Sequence, residues 1–342
     1  MRRLSTVAVA AVVLLVVSGT ASGTQTPTLV LGGSKIDQLQ PAASTGYLSW
    51  DQNSTAKPRH YDNFAAAFPL GGSSPVRLNR PNTQGWSGGI TGDTTESIYQ
   101  EVANGDSNLY MYDLGTDTRT DPAAGINTNK WEWAASISPG YIEFGRQDAF
   151  KQTAPSRVLL YDRSAGLTTV LASEPVACYC ISPYQVTDRY ATWLVCKNLC
   201  RVWYYDIAAA KIHELADPLG LDQYDPSVDG ATGTLYYVQA HGNWCGTHVK
   251  LVRWTIGTPI SSAVTVSAIP LGYDIGASTY VSVDQGHDDV FFDRVRCSGP
   301  HYADIYEVAS ADTAPVTIRF VAGTGSQGPA ARSRMRAGAP AG

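Results

Sequence analysis

LYMYDLGT (109–116), VLLYDRSA (158–165) and VWYYDIAA (202–209) are three copies of one pattern. Each alternates apolar and polar residues, reaches Tyr-Asp, and ends in a turn. That alternation is the signature of a half-buried β-strand. Asp113, Asp162 and Asp206 hold the same place in the three copies. Weaker copies are FAAAFPLG around Pro69, LVRWTIGT around Thr255 and DIYEVASA around Glu307. The anchors at 69, 113, 162, 206, 255 and 307 are spaced by 44, 49, 44, 49 and 52 residues. A period of this length marks a repeat architecture.

Working outward, a second β segment precedes each anchor. These segments run from Tyr47 to Trp50, Ile98 to Glu101, Tyr141 to Phe144, Ala191 to Cys196, Leu235 to Val238 and Val290 to Asp293. A shorter inner strand comes before each, and IDQLQPAAS from Ile36 closely matches LDQYDPSVD from Leu221. A fourth strand follows the anchor, as in LTTVLA from Leu167 and KIHELA from Lys211. Four short strands per unit, repeated without a helix signal, predict an all-β, six-bladed β-propeller of four-stranded antiparallel blades. The expected blades span roughly 36–80, 84–125, 130–173, 178–216, 221–270 and 273–321 within a propeller domain of residues 24–323. Each sheet alone leaves its apolar faces open, so neighbouring blades must stack.

The strand–loop–strand pattern ending in Tyr-Asp resembles the six-bladed propellers of the TolB-like, PD40 type. The resemblance covers roughly Ile36 to Phe320. Blades one and five have Pro69 and Thr255 where the Asp would stand, so the resemblance carries over a fold and no ligand. Related propellers serve as protein-binding platforms, as gating domains of serine peptidases and as sugar-active enzymes, and fold does not choose among these.

Residues 1–23, MRRLSTVAVAAVVLLVVSGTASG, read as a secretory signal peptide: Arg2 and Arg3, an apolar run from Val7 to Val17, then small residues. The run is about half of the roughly 20 residues a membrane span needs. Nothing later in the sequence is apolar enough to span a bilayer, so a secreted, extracellular protein is expected. Residues 324–342 are Gly, Ala, Pro and Arg without apolar period, and are expected to be a disordered tail. The chain carries a net charge of −5, which argues against a nucleic-acid binder. Its 10% aromatic and 16% charged residues exclude a disordered chain and a coiled coil.

Asp113 and Asp162, at the end of a strand and before small residues, are expected to cap turns with their carboxylates. Asp113, Asp117 and Asp121 recur at a spacing of four, which is not a calcium-loop spacing. The six cysteines, in an exported chain, point to disulfides. Cys196 and Cys200 flank a hairpin tip and can meet there, while Cys178 or Cys180 could instead reach Cys196 across the strands. Cys245 and Cys297 lie in equivalent loops of the fifth and sixth blades, where a bridge between blades is expected.

Those two loops, HGNWCGTH and RCSGPH, hold His241, Trp244, His248, Arg296 and His301. They are the candidate ligand-binding cluster. Residues opening the inner strands should rim the channel on the same face, giving Trp133, Tyr224, Asp225, Tyr273 and Asp274 as further candidates. Aromatics with carboxylates suit peptide or sugar recognition. No nucleophile elbow and no metal-protease motif is present. No catalytic residue, metal or cofactor is therefore assigned. The sequence reads as a monomeric, non-catalytic binding scaffold for an extracellular protein, peptide or carbohydrate. The alternative is a carbohydrate-active enzyme, a lyase or hydrolase, with its site at the channel mouth.

Overall fold

The computed structural model describes residues 28–31, 38–44, 46–54, 57–67, 75–86, 95–149, 154–175, 181–216, 219–240, 249–268, 273–274, 281–283, 290–296 and 303–308. Five antiparallel sheets of four strands follow one another along the chain, each strand pairing with the next. The first contains Gln38–Ser44, Tyr47–Ser54, Lys57–Ala67 and Val76–Arg77. The second contains Gln84–Trp86, Glu96–Ala103, Asp106–Asp113 and Thr118–Thr120. The third is Trp131–Ile137, Tyr141–Gln147, Ser156–Asp162 and Leu167–Glu174. The fourth is Ile181–Val186, Tyr190–Cys196, Cys200–Asp206 and Lys211–Glu214. The fifth is Asp222–Asp229, Thr234–Ala240, Lys250–Thr255 and Val264–Ala268.

The expectation of six four-stranded blades needs correction. Five blades have that plan; the sixth sheet does not. It is a five-stranded sheet in which Tyr273–Asp274 and Val281–Val283 both pair with Val290–Arg296. Val290–Arg296 pairs in turn with Ala303–Val308, and the outer position is taken by Thr28–Leu31 from the other end of the chain. The sequence period contains no such strand, because Thr28–Leu31 precedes the first repeat and pairs with the last.

Apolar layers fill the spaces between neighbouring sheets. Ala65 and Leu78 meet Tyr99 and Tyr112 between the first and second. Ile98, Leu109 and Met111 meet Ile137, Phe144 and Leu159 between the second and third. Val158 and Leu171 meet Val186 and Trp193. Tyr190 and Val202 meet Val228, Leu235 and Trp254. Tyr236 and Leu251 meet Val290 and Phe292. Finally Phe291 and Ile305 meet Ala43, Leu48 and Trp50, joining the sixth sheet to the first. Both faces of each sheet are thereby buried, which is why the second strands read as nearly continuous apolar runs.

The outer strands of the first, second and fourth sheets are short, and side-chain amides continue their work. Val76–Arg77 covers only Phe64 and Ala65 of its neighbour, and the next N–H, of Asn63, donates to Asn79 Oδ1 at 2.9 Å. In the second sheet Asn127 takes the N–H of Leu109 at 2.8 Å and gives its Nδ2 to the Leu109 carbonyl at 2.7 Å. In the fourth, Gln223 Oε1 accepts from Val202 N at 3.0 Å. Buried backbone groups need partners, and these amides supply them where the fourth strand stops.

Candidate functional site

The inner strands of four sheets break register at the same place. The breaks lie between Leu39 and Ala42, Trp133 and Ser136, Pro183 and Gln185, and Tyr224 and Ser227. A bulge of this kind adds one residue, bends the strand and re-aims side chains. Gln40, Ala134 and Asp225 occupy it with φ of 55°, 42° and 52°, a region non-glycine residues seldom enter. Pro41 and Pro226 follow two of them. Proline lacks an N–H and fits a bulge, so the Gln-x-x-Pro shared by IDQLQPAAS and LDQYDPSVD encodes this distortion.

A bulge leaves a backbone N–H without a ladder partner, and the preceding sheet supplies one. Asp293 Oδ2, from the sixth sheet, accepts from Gln40 N of the first at 2.8 Å. Glu143, from the third sheet, faces the N–H groups of Tyr184 and Thr192 in the fourth. One residue beyond the bulge, Ser136 Oγ accepts from Val186 N at 3.0 Å, and Gln185 Oε1 from Val228 N at 2.7 Å. Gln185 Oε1 also accepts from the Ser227 hydroxyl. The inner ring is thus stitched blade to blade by side chains on backbone.

These roles account for most of the buried acids. Asp51 accepts from Asn63 Nδ2 at 2.8 Å. Glu101 is held by Arg80, whose Nε lies 2.7 Å from Oε1 and whose backbone N–H donates to Oε2 at 3.0 Å. Glu132 pairs with Arg146 Nε at 2.9 Å and accepts from Thr128 Oγ1 at 2.6 Å, although desolvation still raises its pKa. Glu143 is wholly buried and its pKa is pushed well above the ordinary carboxyl value, chiefly by desolvation. Among the described residues, no group of three His, Cys, Asp or Glu could hold a metal ion.

The anchor aspartates cap turns. Asp113 Oδ1 accepts from Gly115 N at 2.8 Å and from Thr95 Oγ1 at 2.8 Å. Asp162 Oδ1 accepts from Ser164 N and Ala165 N, both at 2.8 Å. Asp206 Oδ1 accepts from Ala209 N at 2.9 Å. Hydrogen bonds hold Asp113 and Asp162 below the usual carboxylate range, led by the Thr95 hydroxyl for the first and the Ala165 N–H for the second.

Of the candidate ligand residues, Trp133 and Asp225 are buried in their inner strands, and Tyr224 packs half-buried beside Tyr236 and Val238. Trp133 lies over Gly145, so closely that a Cβ there would meet its indole at 2.3 Å. The fold brings two others together: Tyr273 is the cross-strand partner of Arg296, with Asp274 opposite Val295. Tyr224 is likewise opposite Val238, two residues before the strand ends at Ala240. His241, Trp244, His248, His301, Cys245 and Cys297 lie outside the described residues, as do Cys178 and Cys180. Cys196 and Cys200 are disulfide-bonded across their hairpin, as directly opposed residues. This excludes the alternative in which Cys196 is taken by Cys178 or Cys180.

Glu143, Gln185 and Asp293 escaped the sequence reading. Their one signal is a polar residue inside an apolar strand, as in YIEFG. His213, which was not singled out either, stacks on Tyr204 with ring centroids 4.8 Å apart.

No family model and no curated protein sequence matches the chain. Among solved structures it is similar to TolB from Acinetobacter baumannii, at a TM-score of 0.52 and 14% identity. That match covers 78% of this chain and 64% of the TolB chain, so the protein spans less than two-thirds of that relative. It is also similar to the propeller domain of the Trilobed protease from Pyrococcus furiosus (TM-score 0.49, 9% identity, 83% and 98% covered). A third is oligogalacturonate lyase from Vibrio parahaemolyticus (TM-score 0.49, 10% identity, 81% and 79% covered). The protein is a β-propeller, and its fold is the TolB-like one.

Proposed function

We propose that the chain is an extracellular, non-catalytic binding scaffold. Its ligand is a protein, peptide or carbohydrate, taken on the face where second strands run out and inner strands begin. The observation that supports this best is the register of the sixth sheet, in which Tyr273 and Arg296 are cross-strand partners, an aromatic position opposite a cationic one. His241, Trp244 and His248 follow directly in sequence on Ala240, where the second strand of the fifth sheet ends. Cationic and aromatic groups in one place suit stacking on sugar rings or peptide side chains with hydrogen bonds at their edges. A Cys245–Cys297 bridge would tie the two loops together and lower the ordering cost of binding. In this reading the chain is exported after loss of residues 1–23.

The partners of the buried acids are those of a packed scaffold: Asp51 holds an amide, Glu101 and Glu132 guanidinium groups, and Asp293 a backbone N–H of the first sheet. Binding of the purified protein to an array of glycans and extended peptides tests the proposal. Arg296→Ala should weaken whichever ligand is found without lowering the unfolding midpoint. New reducing ends or unsaturated sugars from a polysaccharide, lost in His241→Ala or His301→Ala, would overturn it in favour of the enzyme.

A further inference from the structure

The outer edges of the five four-stranded sheets differ. Those of the first, second and fourth are 2, 3 and 4 residues long and each contains a charged residue: Arg77, Arg119, or Lys211 with Glu214. Short, charged edges resist pairing with other strands. That of the fifth, Val264–Ala268, is 5 residues long and half-buried along Val264 to Val266. The third sheet is the exception. Its outer strand Leu167–Glu174 has 8 residues and runs beside its neighbour from Ser156 to Asp162, with a bulge at the buried Leu171 that ends the open stretch at Val170. From Leu167 to Ser173 it contains no charge, no glycine and no proline. Leu167, Thr168, Thr169 and Val170 are all exposed, Leu167 at 67% and Val170 at 53%. Because successive side chains point to opposite faces, four exposed residues in a row leave both faces of this strand open as well as its edge.

We propose that this edge is where two copies of the chain pair, Leu167–Val170 of one running antiparallel to the same segment of the other. Self-pairing about a two-fold axis demands a strand that tolerates itself as a neighbour. With the axis at Thr169, Thr168 faces Val170, and the ladder stops short of the bulge at Leu171. With the axis at Thr168, Leu167 faces Thr169. In either register only uncharged residues oppose one another, and threonine and branched aliphatic side chains are favourable cross-strand neighbours. A charged strand such as Lys211–Glu214 sets Lys211 or Glu214 against its own copy when the axis passes through either residue, and so has fewer registers open to it. The backbone groups of alternate residues, turned away from Ser156–Asp162, supply the ladder. One short ladder buries far less than the roughly 1,600 Å² of a standard interface, so the dimer is weak and concentration-dependent.

Sedimentation equilibrium of the full chain, up to roughly millimolar concentration, tests this. A monomer–dimer equilibrium is expected, together with slower amide exchange at 167–170 as concentration rises. Val170→Lys should weaken the dimer about tenfold or more, by placing a charge against an apolar neighbour in each copy. Leu167→Glu, at the most exposed position, provides a second variant should the first fold poorly. Thr265→Lys on the outer strand of the fifth sheet should change nothing. A monomer throughout the range, a dimer indifferent to both edge variants, or one equally weakened by Thr265→Lys would overturn the proposal. So would a chain that stays monomeric alone and pairs this edge only with an extended segment of another protein.

Discussion

Glu143 concentrates at one side chain the tension between burial and hydrogen bonding. It stands in a second strand, opposite Ser136 and Leu160, and is wholly buried. Burial favours its protonated form, and the N–H groups of Thr192 and Tyr184 only partly offset this. The consequence for stability has a definite sign. An unfolded Glu releases its proton near pH 4.3, about the ordinary value. Between that pH and its raised native value, the folded chain holds a proton that the unfolded chain has lost. Stability from this residue therefore falls as pH rises through that window. Glu143→Gln, neutral at every pH, should remove the effect. Urea midpoints at about pH 5 and about pH 8 should differ less in the variant than in the wild type. Parallel losses in both would place the proton elsewhere. The anchors Asp113 and Asp162 show the opposite case, for their turn-capping role was legible in the sequence. A carboxylate before small residues needs only local N–H groups, and local groups are what a sequence displays.

At the scale of the strand, Gly145 and Trp133 decide how an inner strand lies on its neighbour. They are cross-strand partners, and the indole occupies the space where a Gly145 side chain would stand. Gly145→Ala forces the ring aside or bends the strand. The expected cost is about 3 kcal/mol, toward the upper end for overpacking a tight core. Chemical denaturation measures it, and a changed near-ultraviolet spectrum should report the displaced indole. A loss below about 0.5 kcal/mol would mean that the ring moves freely. Trp133 drew notice in the sequence as an aromatic opening an inner strand, which suits a ligand and a core equally. Only the closeness of Gly145 shows that its ring is used in packing. The bulges were half legible: the match between IDQLQPAAS and LDQYDPSVD was plain, but the positive φ it encodes at Gln40 and Asp225 was not.

For the whole molecule, the critical strand is Thr28–Leu31. It is the outer strand of the last sheet, with Thr28 opposite Glu307, Leu29 opposite Tyr306 and Leu31 opposite Ile305. That sheet also packs Phe291 and Ile305 against Ala43, Leu48 and Trp50 of the first. Removing residues 1–31 should therefore lower the midpoint of thermal unfolding of the entire chain, while removing residues 1–23 should not. Calorimetry of the two truncations makes the comparison, and equal midpoints would show that the outer strand is dispensable. The sequence by itself determined the repeat, the strand order within a repeat and the turn caps, because these follow from alternation and from contacts between residues close along the chain. The tertiary structure alone decided which end closes the last sheet, which acids serve a neighbouring sheet and which edge is left open. Those depend on contacts such as Gln40 with Asp293, 253 residues apart, which no local pattern records.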